Sequence, residues 1–112
     1  MRPGEVYLAD VGAADKRPII IVSRDILNQG AYVVAVPTTT TRLEERYTYN
    51  NCVRIRAGEA GLSKDCVAQC EQIATIETDF IDSTPIGEVS EEQFREIVRA
   101  IGFMMNATCE PD

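Results

Sequence analysis

Apolar and polar positions alternate in short strand-like runs along most of the chain and settle into one helical repeat at its end. In "GEVYLADV" (4–11) Val6, Leu8 and Asp10 recur with period two, as on one face of a strand. "GAAD" (12–15) supplies a turn. "RPIIIVS" (17–23) is continuously apolar after its proline, the pattern of a strand covered on both faces. Pro18 suits the first residue of that strand, where a missing N–H costs nothing. "RDILNQG" (24–30) has room for one helical turn before Gly30, and "AYVVAVP" (31–37) predicts a further strand ended by Pro37. The polar "TTTTRLEERYTYNN" (38–51) reads as a loop. "CVRIRA" (52–57) alternates apolar and basic residues, as a strand with one wet face does. "GEAGLSKD" turns, "CVAQCEQIATI" (66–76) continues as one or two strands, and "ETDFI" fits a helical turn before "STPIGEV" (83–89).

The last element is the most strongly patterned. "SEEQFREIVRAIGFMM" opens with Ser90 and places Gln93 three residues on, a capping-box spacing with acids in the first turn. Phe94, Ile97, Val98, Ile101 and Met105 follow at helical spacing and form an apolar stripe. The spacing predicts a helix packed on a sheet. Five or more short strands with turns between them, closed by one helix, predict a mainly β fold, a small, strongly curved antiparallel sheet or partly open barrel. No repeat, low-complexity tract or linker divides the chain, so a single domain over 1–112 is expected.

Composition narrows the chemistry. At 112 residues the chain can bury roughly two-thirds of its unfolded surface in one core. No apolar run approaches the ~18 residues of a membrane span, and "MRPGEVYLAD" lacks the apolar middle of a signal peptide. A cytoplasmic protein without a membrane contact is expected. The four cysteines, Cys52, Cys66, Cys70 and Cys109, form no C-x-x-C pair, and there is no histidine. The expectation is therefore no metal site and no cofactor, with the cysteines as small core or half-buried thiols. On a single strand Cys66 and Cys70 would share a face. Without histidine, Ser–His and Cys–His nucleophile systems are excluded, so any catalysis rests on Arg, Lys, Thr, Ser, Tyr or carboxylates.

The net charge of −7 is unevenly spread. Residues 1–56 carry eight basic and six acidic side chains, and residues 57–112 carry three and twelve. A polyanionic partner would prefer the first half, although an acidic second half is also explained by solubility alone.

Three constellations carry candidate chemistry, each with a plainer alternative. Arg17 precedes a proline, so its backbone is held extended at a strand entrance with Lys16 beside it. A cation on a stiff element can stabilise charge developing on a phosphate; a surface arginine paired with Asp15 or Asp25 is the alternative. Thr38 and Thr39 open a run of four hydroxyls directly after a strand, placed to hold phosphate oxygens or simply to bond their own turn. Gln69 and Glu71 alternate with Cys70 and Gln72, so the first two face one way, either lining a groove that reads bases or riboses or covering a strand's solvent side.

With these residues in place, "RPGEVYLADV", "KRPIIIVSRDILNQ", "VVAVPTTT", "GEAGLSKDCVAQCEQIATI" and "IGEVSEEQFREI" together resemble the MazF/PemK family of toxin endoribonucleases, in order and spacing over nearly the whole chain. The resemblance implies an SH3-like curved antiparallel barrel with a C-terminal helix, as in the MazF/PemK/CcdB-like toxins, assembled as a twofold homodimer. It implies metal-independent cleavage of single-stranded RNA, mRNA included, at short sequences, which arrests translation and growth until a cognate antitoxin binds. By the same resemblance Arg17 and Thr38 are the catalytic pair. Lys16, Thr39, Gln69, Glu71 and Gln72 are substrate-binding, and Asn28 is structural. Two departures stand out: the loop before Arg17 shrinks to "GAADK", and Ala74 replaces an arginine.

A histidine-free ribonuclease is physically reasonable, because the 2′-OH of RNA is its own nucleophile and the protein must chiefly align and stabilise. Arginine stays protonated and is a poor general base, which leaves Glu71 as a candidate acceptor for the 2′ proton. Two rivals remain open on the residues alone. One is a non-enzymatic toxin of the same barrel that poisons DNA gyrase; the other is a decayed homologue that only binds an antitoxin.

Overall fold

The computed structural model describes residues 1–106, so Cys109 lies outside the described residues. Seven strands form one antiparallel sheet: β1 Glu5–Ala9, β2 Arg17–Ile21, β3 Tyr32–Thr39, β4 Cys52–Ile55, β5 Cys66–Gln69, β6 Ala74–Glu77 and β7 Gly87–Glu88. Two helices accompany them, the short α1 Leu43–Arg46 and the long α2 Glu91–Met104. The spatial order is β4-β5-β3-β2-β1-β7, with β6 also pairing β3. The mainly β architecture with one long C-terminal helix expected from the pattern is the one observed. Among the described residues no helix is long and apolar enough to cross a membrane.

Strand β3 gives the sheet its curl. One of its edges pairs with β2 over Ala35–Pro37, while the other pairs with β6 over Tyr32–Ala35 and then with β5 over Thr38–Thr39. Pro37 therefore does not end the strand. Its nitrogen faces the interval between the β6 and β5 partners, so the missing N–H breaks no ladder bond. Two of the threonines assigned to a loop consequently belong to the sheet, and the remainder of that loop contains α1.

Two apolar clusters lie on opposite faces. Val6, Ile20, Val36, Val53, Ile55 and Ala68 form one with Ile97 and Ala100 of α2; Tyr7, Ala9, Ile19, Ile21, Val33 and Ala35 form the other with Ile81. Strand β1 thus has both faces covered, and the expected Val6–Leu8–Asp10 stripe gives way to buried Val6, Tyr7 and Ala9. The apolar run of β2 is buried on both sides, as its pattern predicts.

Helix α2 begins with the expected capping box. The Gln93 N–H donates to Ser90 Oγ at 3.0 Å and the Ser90 N–H donates to Gln93 Oε1 at 2.9 Å. Its inward face centres on Ile97 and Ala100, flanked by Phe94 and Ile101. Val98 and Met105, expected in that stripe, are 51% and 62% exposed because the contact is narrower than the apolar arc. The segment after β5 turns through Cys70–Gln72 in a tight 3-10 turn before β6. Cys66 and Cys70 therefore do not share one strand, yet both reach the same core.

Candidate active site

The entrance of β2 and the end of β3 meet at the rim of a cavity of about 190 Å³. Arg17, Pro18, Thr38, Thr39 and Thr40 form one wall, and Leu62, Ser63, Lys64 and Cys66 form the other. The convergence follows from pairing. Ile19 lies opposite Pro37, which brings the next residues outward, Pro18 and Thr38, side by side. There the Thr38 hydroxyl donates to the Pro18 carbonyl at 3.0 Å, fixing its rotamer beside Arg17. The Thr39 and Thr41 hydroxyls share a 3.0 Å hydrogen bond, and the Thr41 N–H donates to Thr39 Oγ1 at 3.3 Å. The threonine run thus bonds its own turn and also lines the cavity.

Lys64 and Ser63 are the residues that the sequence reading missed. They arrive on the loop before β5, which is pinned by a close crossing of two glycines. Gly61, at φ +76°, packs against the Ile86 carbonyl, and Gly87 against that of Ala60, so neither site has room for a Cβ. Among the described residues no carboxylate lines the cavity, and neither Arg17 nor Lys64 forms an ion pair. On a chain of net charge −7 this is a local electropositive site.

The other expected binding residues are placed elsewhere. Lys16 donates to Asp82 Oδ1 at 2.6 Å, a hydrogen bond and charge contact that hold its ammonium above the ordinary lysine value. Gln69 ends β5 opposite Cys52. Glu71 Oε1 accepts from Asn51 Nδ2 at 2.8 Å. Gln72 lines a second cavity of about 460 Å³, with Asp10, Val11, Ile19, Ala35, Pro37 and Phe80. The 3-10 turn breaks the alternation that was to align Gln69 with Glu71. Of the candidates, only Arg17, Thr38 and Thr39 share the first cavity. Asn28 has the structural place expected of it: it accepts from the Ser23 hydroxyl and donates to the carbonyls of Met1 at 3.0 Å and Ser23 at 2.8 Å.

Cys66 lines the site, but burial, aided by Asp65, pushes its thiol up to about 11. Burial raises Cys70 to about 12 and also raises Cys52. All three stay protonated at neutral pH and are poor nucleophiles. Among the described residues no group of three or more cysteines and carboxylates converges as a metal site would require.

Residues 2–105 match the family described as the PemK-like, MazF-like toxin of type II toxin–antitoxin systems. The chain is 32% identical to endoribonuclease MazF9 of Mycobacterium tuberculosis, over 90% of this chain and 92% of that protein. A mycobacterial endoribonuclease solved in complex with its cognate antitoxin superposes with a TM-score of 0.81 at 28% identity, covering 98% of this chain and 99% of that one. MazF from the MazE–MazF complex of Deinococcus radiodurans, at 15% identity and a TM-score of 0.77 over 96% and 97% of the two chains, shares the fold.

Proposed function

The chain belongs to the PemK-like, MazF-like toxins of type II toxin–antitoxin systems, and we propose that it is an endoribonuclease that cuts single-stranded RNA, mRNA included, in the cavity between Arg17 and Lys64. The observation that carries this reading is a cavity lined, among the described residues, by two cations without acidic partners, three threonines and no carboxylate. Such a lining attracts a phosphodiester, and no side-chain carboxylate of the lining competes with it for the cations.

In the reaction, the ribose O2′ forms a bond to phosphorus as the bond from phosphorus to the departing O5′ breaks. The products are a 2′,3′-cyclic phosphate and a 5′-OH end, the proton lost by the 2′-OH being balanced by the one gained at O5′. Arg17 bridges the non-bridging oxygens and the departing oxygen; its fork of donors on a stiff strand makes it the main stabiliser of charge. Thr38, held against the Pro18 carbonyl, sets the depth at which the phosphate sits, and Thr39 and Lys64 contact the flanking backbone. Glu71, engaged by Asn51 outside the cavity, is not assigned the 2′ proton. The whole chain acts as one domain in the cytoplasm, as a homodimer restrained by a cognate antitoxin, in line with the relative solved with its own.

The test is to incubate the purified protein with a long mixed-sequence RNA in a metal chelator and to map new 5′ ends. Cleavage at a short recurring sequence is expected. The same sequence as DNA, or with a 2′-O-methyl at the cut, should resist, because the nucleophile is then absent or blocked. Efficient cutting of either would overturn the scheme, as would intact RNA accompanied by inhibited gyrase supercoiling.

A further inference from the structure

A second set of cations lies beyond that cavity and comes with an aromatic ring. The guanidinium carbon of Arg54 sits 4.1 Å above the centroid of the Tyr47 ring, within range of a cation–π contact. Arg54 belongs to the edge strand β4, opposite Val67 of β5, and Val67 lies opposite Thr39 of β3 on its other side. Directly opposed residues share a sheet face. Arg54 therefore stands on the same face and at the same level as Thr39, a residue of the cavity wall.

Two strand spacings separate them, about 10 Å between backbones, which is the rise of about three stacked nucleotides. Helix α1 packs on β5 within this interval and carries Tyr47 at its end. Its position is tied to the cavity, since Arg46 Nε donates to the Thr41 carbonyl at 3.1 Å. Glu45, on that helix, is taken up by Arg42 at 2.7 Å. Among the described residues Arg54 has no acidic partner, although acids outnumber bases in the chain eighteen to eleven. Arg54 is exposed, and a guanidinium with one face on a ring can offer its other face to a base and its edge to a phosphate.

We propose that Arg54 and Tyr47 form an outlying subsite for single-stranded nucleic acid, holding one base and one phosphate a few nucleotides from the bond at Arg17. The inference rests on the ribonuclease reading for the source of the strand. It favours nucleic acid over an acidic peptide because the stacked guanidinium stands level with a threonine of the proposed phosphate cavity, and a peptide carboxylate would leave the open π-face unused.

The probe is a fluorescent, uncleavable 2′-O-methyl RNA of about a dozen mixed nucleotides, titrated by anisotropy at several salt concentrations, with thermal melts confirming that each variant is folded. Arg54→Ala should weaken binding about tenfold and reduce the salt slope by about 0.7, the loss of one phosphate contact to a single strand. Arg54→Lys should keep the slope while losing part of the affinity, and Tyr47→Leu should weaken binding with the slope unchanged. Binding within about twofold of wild type in Arg54→Ala, or a loss confined to a polyglutamate peptide, would overturn the proposal, as would failure of the folded wild type to bind. If RNA is bound through Arg54 and never cut, the subsite stands and the ribonuclease reading falls.

Discussion

Two cavities flank the β2–β3 pair, one on each side of four adjacent residues, and they differ in kind. Among the described residues, Pro18 and Thr38 turn to the smaller one, with Arg17 and Lys64 and no acid, and Ile19 and Pro37 turn to the larger one, with Asp10 and Glu77 and no base. Strand alternation separates Pro18 and Thr38 from Ile19 and Pro37, since successive side chains point to opposite faces, while Arg17 and Thr39 reach the smaller cavity at the strand ends that form its rim. Volume therefore says little about chemistry here. On the proposed reading a phosphodiester prefers the smaller cavity, where among the described residues two cations have no competing anion, over the larger one with its two carboxylates.

The sharpest way to break that contrast is to remove the cation from one side and the anion from the other. Arg17→Ala should cost on the order of a hundredfold in RNA cleavage with an unchanged melting temperature, the usual scale for losing a preorganised charge stabiliser. Lys64→Ala should cost about tenfold, mostly as weaker binding, with a salt slope lower by about 0.7. Asp10→Asn should leave cleavage within about twofold of wild type. Equal losses from Arg17→Ala and Asp10→Asn, measured as single-turnover rates on one RNA, would mean that the cavities do not divide the work in this way.

The same contrast explains what could be read from the chain before its fold. Arg17 and Thr38 were legible because each ends a strongly apolar strand, and apolar runs fix where strands begin and stop. Lys64 was not, since its place depends on the Gly61–Gly87 crossing, a contact between segments twenty-six residues apart with no local signature. Gln69 and Glu71 misled because a 3-10 turn hides easily inside an alternating stretch; Cys70 is apolar enough to keep the pattern going while the backbone changes direction. Pro37 misled in the opposite sense. A proline normally closes a strand, but this one falls where the edge it faces changes partner. Strand content and the capped helix were legible; partner changes and loop crossings, which are set by tertiary packing, were not.

That crossing supplies the next largest effect. Gly61 combines a positive φ with a position where any Cβ would land on the Ile86 carbonyl, so Gly61→Ala incurs both backbone strain and a steric clash. A loss of about 2 kcal/mol or more in urea unfolding is expected, with a fall in cleavage that tracks the displaced Lys64 loop. Gly58→Ala shares the positive φ, but nothing lies within 4 Å of its Cβ, and about 1 kcal/mol is expected there. If the two substitutions cost the same, the crossing does not pin the loop.

The smallest effect concerns the thiols behind the cation cavity. Burial lifts Cys66 from 9.0 to about 11 and Cys70 from 9.0 to about 12. In the unfolded chain these thiols ionise near 9, whereas in the folded chain they hold their protons well above that. The folded state therefore binds more protons over this window, and stability must fall as pH rises. The stabilisation is complete below about pH 9 and is lost progressively until the folded thiols themselves ionise, at about 11 for Cys66 and about 12 for Cys70. Between about pH 8 and about pH 10 the loss should be on the order of 1 kcal/mol for each thiol, read as a falling urea midpoint with an unchanged m-value. Cys66→Ala with Cys70→Ala should flatten most of that slope. The remainder belongs to other groups such as Tyr7, whose hydroxyl is raised by burial and by its hydrogen bond to Glu5. A double variant with the full wild-type slope would show that the thiols are open to solvent, and the wall that Cys66 contributes to the cavity would then be wet rather than packed.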